Sequence, residues 1–393
     1  MYRVKDVRQA KEVAAHYLSE MELDRVVGFG LPELDDRYHV WRVPLVDASN
    51  GYLGEVVIDA RTSLINVQKS TQKEILENRL LGRENSDKSK LNERKSGVRK
   101  CEAVPKMSYL RNTVGAGDSL ELLKNTPNES VDLIFTSPPY YNARPEYSEY
   151  YAYEDYLSDM RAIFRECGRV LNEGRFIVVN ISPVLVRRKS RSESSKRLAV
   201  PFDFHALLTA EGFDFVDDVI WVKPEGAGWA TGRGRRFAAD RSPLQYKPVP
   251  VTEYVLVYRK KTDKLIDWHI RRHPDPEAVE KSKIPDGYEK TNIWKIHPAF
   301  HPVHPAVFPL ALAEKVIAYY SFVNDVVLDP FAGTGTVGKA AVKLGRRFVL
   351  YEKNPEYVKI ITDSTVEWFA GKIDEINFLN LIKPEINQAF LNF

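Results

Sequence analysis

The chain has 393 residues, of which 44% are hydrophobic and 28% charged, with a formal net charge of +3; it can bury a large core and has room for one large domain and a smaller one. Two cysteines, Cys101 and Cys167, exclude a disulfide framework and a cysteine zinc site. No apolar run is long enough to span a bilayer, and Met1-Tyr2-Arg3-Val4-Lys5-Asp6 lacks a signal pattern, so the expected compartment is the cytoplasm.

Val4 to Leu23 places apolar residues at helical spacing, and Arg25 to Gly28, Tyr38 to Val46 and Tyr52 to Ile58 read as strands. The stretches 31–36 (Leu-Pro-Glu-Leu-Asp-Asp) and 47–51 (Asp-Ala-Ser-Asn-Gly) read as the turns between them. Residues 1–67 are therefore expected to form a small α+β module, a structural or protein-contacting appendage with no catalytic constellation. Residues 68–107 turn polar, with the composition of a solvated linker.

The large domain is expected over 108–372. Gly117-Asp118 precedes a helix from Leu120 to Lys124, and the apolar strand Val131 to Phe135 runs into Thr136-Ser137-Pro138-Pro139-Tyr140. Each proline removes a ladder donor and fixes φ, so the strand stops there. A hydroxyl, free turn carbonyls and an aromatic ring at the carboxyl end of a parallel strand, where open α/β sheets place their ligands, suit a planar base carrying an amino group. Taken alone, these residues could equally be an ordinary loop.

Tyr153 to Leu171 has helical spacing and is closed by Glu173-Gly174; Phe176 to Ile181 is a strand buried on both faces. A helix (Phe202 to Ala210) and two strands (Phe213 to Val222, Thr252 to Arg259) follow. This alternation implies a mostly parallel sheet. Two interruptions are basic: Arg187-Arg188-Lys189-Ser190-Arg191 through Lys196-Arg197, and Gly226 to Arg241, which contains Arg233, Arg235 and Arg236. Residues Lys260 to His301 look irregular; His269, His273, His297, His301 and His304 lack metal-ligand spacing, and no metal is expected.

Beyond His304-Pro305-Ala306-Val307-Phe308-Pro309 come a helix (Leu310 to Tyr320) and a strand (Asp325 to Leu328). Gly333 and Gly335 then permit a tight turn that opens a helix, Val337 to Leu344. The next strand, Arg347 to Tyr351, ends in Glu352, about 20 residues after the turn and placed to accept hydrogen bonds from two ribose hydroxyls. A helix starts near Pro355, and residues 373–393 read as a packing helix or tail.

Thr136-Ser137-Pro138-Pro139-Tyr140 followed far downstream by His304–Pro309 and by Asp329-Pro330-Phe331-Ala332-Gly333-Thr334-Gly335-Thr336 resembles the permuted (β) arrangement of the DNA amino-methyltransferases. The resemblance covers roughly 108–369 and implies a Rossmann-like methyltransferase fold: an α/β domain whose mostly parallel central sheet is flanked by helices. It implies S-adenosyl-L-methionine as cofactor, on Asp118, Thr136, Phe308, Pro309, Asp329, Phe331, Gly333, Gly335, Thr336 and Glu352. It implies double-stranded DNA as partner, and admits a cognate restriction endonuclease and a homodimer. The catalytic turn is then Ser137, Pro138, Pro139 and Tyr140, with a flipped base stacked on Tyr140 or, as second choice, Tyr141. Serine in place of aspartate before Pro-Pro-Tyr is the family's usual mark of the cytosine N4 amine, with adenine N6 as runner-up. Methylation of a cytosine ring carbon resembles a chemistry that needs a cysteine near Tyr140, and none is there.

On this reading Arg187, Arg188, Arg233, Arg235 and Arg236 are expected to touch phosphate, and target recognition is expected within 183–200, 224–250 and 260–301. For the N-terminal module, DNA contact or dimerisation is the second reading. Two remote alternatives are a DNA-binding protein without catalysis and a P-loop NTPase. Gly333 to Lys339 matches most of the P-loop pattern but is followed by Ala340 where a magnesium-binding hydroxyl is needed.

Overall fold

Residues 2–36, 38–48, 51–87, 104–141, 152–186, 196–224, 250–299, 308–370 and 373–381 are described by a computed structural model of the protein. The chain divides into two units, Met1–Cys101 and Glu102–Phe393.

In the first unit α1 (Val7–Glu20) is capped by Asp6, which accepts the Gln9 amide hydrogen at 2.9 Å, and it buries Ala10, Ala14 and Leu18, one residue per turn of one face. That face covers an antiparallel sheet in which β3 (Val40–Val46) pairs with β1 (Gly28–Phe29) and β2 (Glu33–Asp35) along one edge and with β4 (Tyr52–Asp59) along the other. Part of the stretch read as a turn at 31–36 is thus a strand, held because Leu34 pairs with Trp41. The segment read as linker begins with a helix, α2 (Lys73–Asp87), whose Leu76 is fully buried in this core. Its charged composition conceals the four-residue spacing of Leu76 and Leu80.

The second unit is built on a sheet of nine strands among the described residues. In chain order it contains β5 (Thr113–Ala116), α3 (Ser119–Lys124), β6 (Val131–Thr136), α4 (Tyr153–Val170) and β7 (Leu171–Ile181), then the hairpin β8 (Val184–Val186) and β9 (Lys196–Leu198). These are followed by α5 (Val200–Ala210), β10 (Phe213–Val222), β11 (Thr252–Lys260), α6 (Trp268–Arg271), α7 (Pro276–Lys281), β12 (Ile293–Lys295) and α8 (Leu310–Tyr320). Last come β13 (Val326–Asp329), α9 (Thr336–Lys343), β14 (Arg347–Glu352), α10 (Pro355–Trp368) and β15 (Asn377–Leu379). The strand order is β12-β10-β11-β7-β6-β13-β14-β5-β15, and only β11 runs against the rest. One apolar layer joins α3, α4 and α5 to the sheet, and a second joins α8, α9 and α10 to its other face.

This order makes the two motif strands neighbours: Val327 and Leu328 of β13 pair with Leu133 and Ile134 of β6. From β6 the chain passes through α4 to β7 on one side; from β13 it passes through α9 to β14 on the other. Such a reversal opens a crevice beyond the carboxyl ends of the two strands. At their amino ends a buried polar cluster ties β6, β7 and β13 together. Arg175 donates to the Asp132 carbonyl at 2.9 Å and pairs with Asp325, while Asp132 accepts from the Val326 amide at 2.9 Å and from Asn172 at 2.7 Å.

Residues 260–299 are less irregular than their composition implies, and their first part packs at the amino ends of the central strands. Arg259 donates to the carbonyls of Lys264 and Leu265, Lys264 pairs with Glu173, and Ser282 accepts from the Val323 amide at 2.7 Å. All of these surround the amino ends of β7 and β13, opposite the crevice. His269 and His273 are buried there; burial pushes the His269 imidazole down to about 4. Only β12, parallel to β10, carries the chain back to the crevice edge. The carboxyl-terminal segment read as helix or tail contributes β15, which pairs with β5 at the sheet edge; residues 382–393 lie outside the described residues.

Candidate active site

The proline turn and the glycine turn are stitched together. Thr136, the last residue of β6, donates its hydroxyl to Asp329 Oδ1 at 2.6 Å, and the same oxygen accepts the Phe331 amide at 3.0 Å. Asp329 is buried, and its carboxyl is pushed up to about 7 by desolvation, with these two hydrogen bonds opposing the shift and Glu352 adding to it. Ser119, at the start of α3, donates to the Pro330 carbonyl at 2.5 Å, which brings the Gly117-Asp118 turn alongside.

The glycines have distinct reasons. Gly333 and Gly335 have φ of 54° and 84°, a region that residues with a side chain rarely adopt. A Cβ on Gly335 would also lie 3.0 Å from the Trp368 ring. Helix α9 begins directly after them at Thr336, so its first amide donors face the crevice. Glu352 bridges the turn: Oε2 accepts the Gly333 amide at 2.8 Å and Oε1 accepts the Asn354 amide at 2.8 Å. Burial raises its carboxyl and these amides oppose the rise. The Lys353 amide bears on the same carboxylate, whose remaining acceptor capacity is open to a ligand hydroxyl. The residues around this turn fit a ribosyl cofactor.

They do not fit a P-loop. Gly338 lies inside α9, where a Cβ would come within 2.6 Å of Leu350, so this glycine serves helix-to-strand packing. Lys339 is exposed one turn into the helix and Ala340 is buried. Asp118 is exposed and caps α3, accepting from the Leu120 amide at 3.0 Å, close to Glu352 because the Gly117 amide donates to the Glu352 carbonyl at 2.9 Å. Phe308 packs on Phe135 with ring centroids 5.0 Å apart, and Pro309 leads into α8; residues 304–307 lie outside the described residues.

Ser137 is half-buried and Pro138 buried. Tyr140 donates its hydroxyl to Glu253 Oε2 at 3.1 Å. Asn180, at the end of β7, donates to the same oxygen at 2.9 Å and approaches Ser137 Oγ at 3.5 Å, and Lys223 donates to Glu253 Oε1 at 2.5 Å. Sequence reasoning missed Asn180, Lys223 and Glu253, which sit in ordinary strand patterns; the signal available was a glutamate in a strand otherwise buried by apolar residues. Tyr141 packs edge-on against Tyr153 at 5.2 Å and near Tyr156 at 5.8 Å, against the α4 side of the core. Cys167 is buried in α4 with its thiol pushed up by desolvation; Cys101 lies outside the described residues.

Arg187, Arg188, Arg233, Arg235 and Arg236 also lie outside the described residues. Their points of departure do not: the chain leaves at Val186 past β7, and at Pro224 past β10 to return at Pro250 before β11, all at the crevice edge.

An α-β-α sheet with one reversed strand and a glycine turn beside a proline turn at its central carboxyl ends is the architecture of a Rossmann-like methyltransferase. The DNA methylase (N6_N4_Mtase) family model matches residues 131–363, and the chain belongs to that family. It is similar to the type II methyltransferases M.ScaI of Streptomyces caespitosus (31% identical, 62% of this chain and 78% of that one) and M.BglII of Bacillus subtilis (27%, 69% and 72%). It is 29% identical to the type II beta methyltransferase M.BslI of Bacillus sp. (strain NEB-606) over 66% of this chain, but spans 28% of that protein's length. Among solved structures it is similar to TTHA0409 of Thermus thermophilus complexed with S-adenosyl-L-methionine, with 29% identity, a TM-score of 0.55, and 70% of this chain and 100% of that one covered.

Proposed function

We propose that this protein transfers a methyl group from S-adenosyl-L-methionine to the exocyclic N4 amine of a flipped cytosine in double-stranded DNA, with adenine N6 as the second reading. The observation that carries it is the Thr136–Asp329 hydrogen bond, which sets a base-capturing turn and a cofactor turn side by side across 193 residues of sequence.

Bound S-adenosyl-L-methionine supplies an electrophilic methyl group on sulfonium. The protein must make a poor nucleophile react, because the amine lone pair is delocalised into the base. Ser137 Oγ and the Pro138 carbonyl each accept one amine hydrogen, which draws the nitrogen towards tetrahedral geometry and aims its lone pair across the crevice. As the nitrogen–carbon bond forms, the methyl–sulfur bond breaks to leave a neutral thioether, and the extra amine proton is released to solvent. Positioning of this kind can supply about 7 kcal/mol or more of the barrier in the best model systems. Flipping costs about a few kcal/mol of unstacking, partly offset by stacking on Tyr140. Serine before Pro-Pro-Tyr supports cytosine over adenine.

DNA incubated with the protein and cofactor, then digested to nucleosides for mass spectrometry, is expected to contain N4-methyl-2′-deoxycytidine; N6-methyl-2′-deoxyadenosine alone would establish the second reading, and the absence of both products would refute both. The cofactor is assigned to Asp118, Thr136, Phe308, Pro309, Asp329, Phe331, Gly333, Gly335, Thr336 and Glu352. Calorimetry is expected to show that Glu352→Ala weakens cofactor binding while the protein stays folded, and unchanged affinity would remove Glu352 from the site.

Phosphate contacts are assigned to Arg187, Arg188, Arg233, Arg235 and Arg236 because their segments leave from the crevice edge. Removing any one of these arginines is expected to reduce the salt slope of DNA binding by roughly one unit. A charge-reversed quintuple variant with wild-type affinity and slope would show them to be merely solvated.

A further inference from the structure

Glu253 is 7% exposed in a strand whose other buried positions are mostly apolar, and three donors from three other elements converge on it. Tyr140 comes from the proline turn, Asn180 from the end of β7 and Lys223 from just past β10. A buried carboxylate needs such donors, but a core that only needed stability would do as well with apolar residues of similar volume. The donors are also selective. Tyr140 is the proposed platform for the flipped base, and Asn180 is the side chain that reaches Ser137.

The amide orientation of Asn180 follows from this carboxylate. Glu253 Oε2 can only accept, so Nδ2 must face it. The second hydrogen of Nδ2 is then available to Ser137 Oγ, and Oδ1, buried and without a hydrogen-bond donor among the described residues, is left for one that arrives with a ligand. A serine hydroxyl has one hydrogen and two lone pairs. With one lone pair turned to Asn180, the other stays directed to the incoming amine.

We propose that Glu253 is the positioning residue of the base site: it fixes the Tyr140 ring through its hydroxyl and the Ser137 hydroxyl through Asn180, with Lys223 as its counter-ion. This rests on the methyl-transfer reading above. Glu253 reaches the turn through the Tyr140 hydroxyl and through Asn180, so its effect is expected to pass through Tyr140 and Ser137.

The test is a double-mutant cycle in the full-length protein on single-turnover methylation of unmethylated bacterial DNA. Tyr140→Phe removes only the hydroxyl, and Glu253→Gln removes only the charge and one acceptor. Each is expected to slow transfer about tenfold or more, while the double variant is no slower than the slower single one, because both break the same linkage. Affinities for S-adenosyl-L-methionine and for DNA are expected to change less than about twofold. Glu253→Gln/Lys223→Met, which leaves no unpaired charge behind, is expected to be slowed like Glu253→Gln and keeps the test valid if the single variant folds poorly. Multiplied losses in the double variant, or a wild-type rate in Glu253→Gln, would overturn the proposal.

If the wild-type protein transfers no methyl group to DNA, the functional reading fails, and the linkage is read separately by nuclear magnetic resonance of protein labelled at tyrosine Cζ. The Tyr140 resonance, assigned with Tyr140→Phe, must then move in Glu253→Gln; an unmoved resonance overturns the linkage itself.

Discussion

Ser137→Ala is expected to bind S-adenosyl-L-methionine and DNA nearly as the wild type does and to lose turnover by about 30-fold to 1,000-fold. The figure follows from the loss of one hydrogen bond that matters only as the amine pyramidalises, about 2 to 4 kcal/mol by analogy with removing an oxyanion-hole donor. Binding should survive because the proline turn keeps its backbone, and because most of the cofactor turn is built by Asp329 to Thr336 and Glu352. The hydrogen bonds that hold that turn, from Thr136, Ser119 and the Gly333 and Asn354 amides, do not involve Ser137. Single-turnover methylation measures the chemical step directly. A wild-type rate there would mean that the hydroxyl neither orients nor activates the amine.

Arg175→Met is expected to cost the second unit about 3 to 5 kcal/mol, the range for removing one partner of a buried ion pair. The guanidinium holds the Asp325 carboxylate and the Asp132 carbonyl at the amino ends of three adjoining strands, and its planar face lies 5.2 Å from the Phe322 ring. Burial raises the Asp325 carboxyl; Arg175 pulls it down and Asp132 pushes it up, and the net shift is upward. A carboxyl raised in the folded protein binds its proton more tightly there than in the unfolded chain, so its contribution to stability is present at low pH and is lost as pH rises through the folded value. Without Arg175 that value rises further. Denaturant unfolding of Arg175→Met should therefore show a larger deficit at pH 8 than at pH 5, and Arg175→Met/Asp325→Asn should recover part of the loss at the higher pH. An equal deficit at both values would mean that Arg175 acts through packing alone.

The parts of this molecule that were legible in its sequence are those whose chemistry is local. Two prolines ending an apolar run, two glycines opening a helix, and an acid at the end of the following strand each impose a backbone event within a few residues. The central strands and the helices between them were legible for the same reason. Glu253, Asn180 and Lys223 were not, because each occupies an unremarked position in a strand or just beyond one, and they meet only when the order β10-β11-β7-β6 brings their ends together. Short edge strands such as β12 and β15 carry too few residues to show a period, and β5 was passed over for the turn that follows it. The polar face of α2 hid Leu76, and the burial of His269 and His273 at the far end of the sheet leaves no mark on spacing.

The position of β13 between β6 and β14 also has a consequence in time. A chain grows from its amino terminus at about 5 to 20 residues per second, so the partner of Thr136 emerges 193 residues later, after about 10 to 40 s. Until then β6 has β7 on one side and a bare ladder on the other, although its sequence is that of a strand buried throughout. An unpaired apolar edge of this kind is a template for aggregation. The nascent protein thus depends on whatever shields that edge, and a polypeptide ending before Val326 contains the whole proline turn but neither the glycine turn nor the strand against which the turn is aligned.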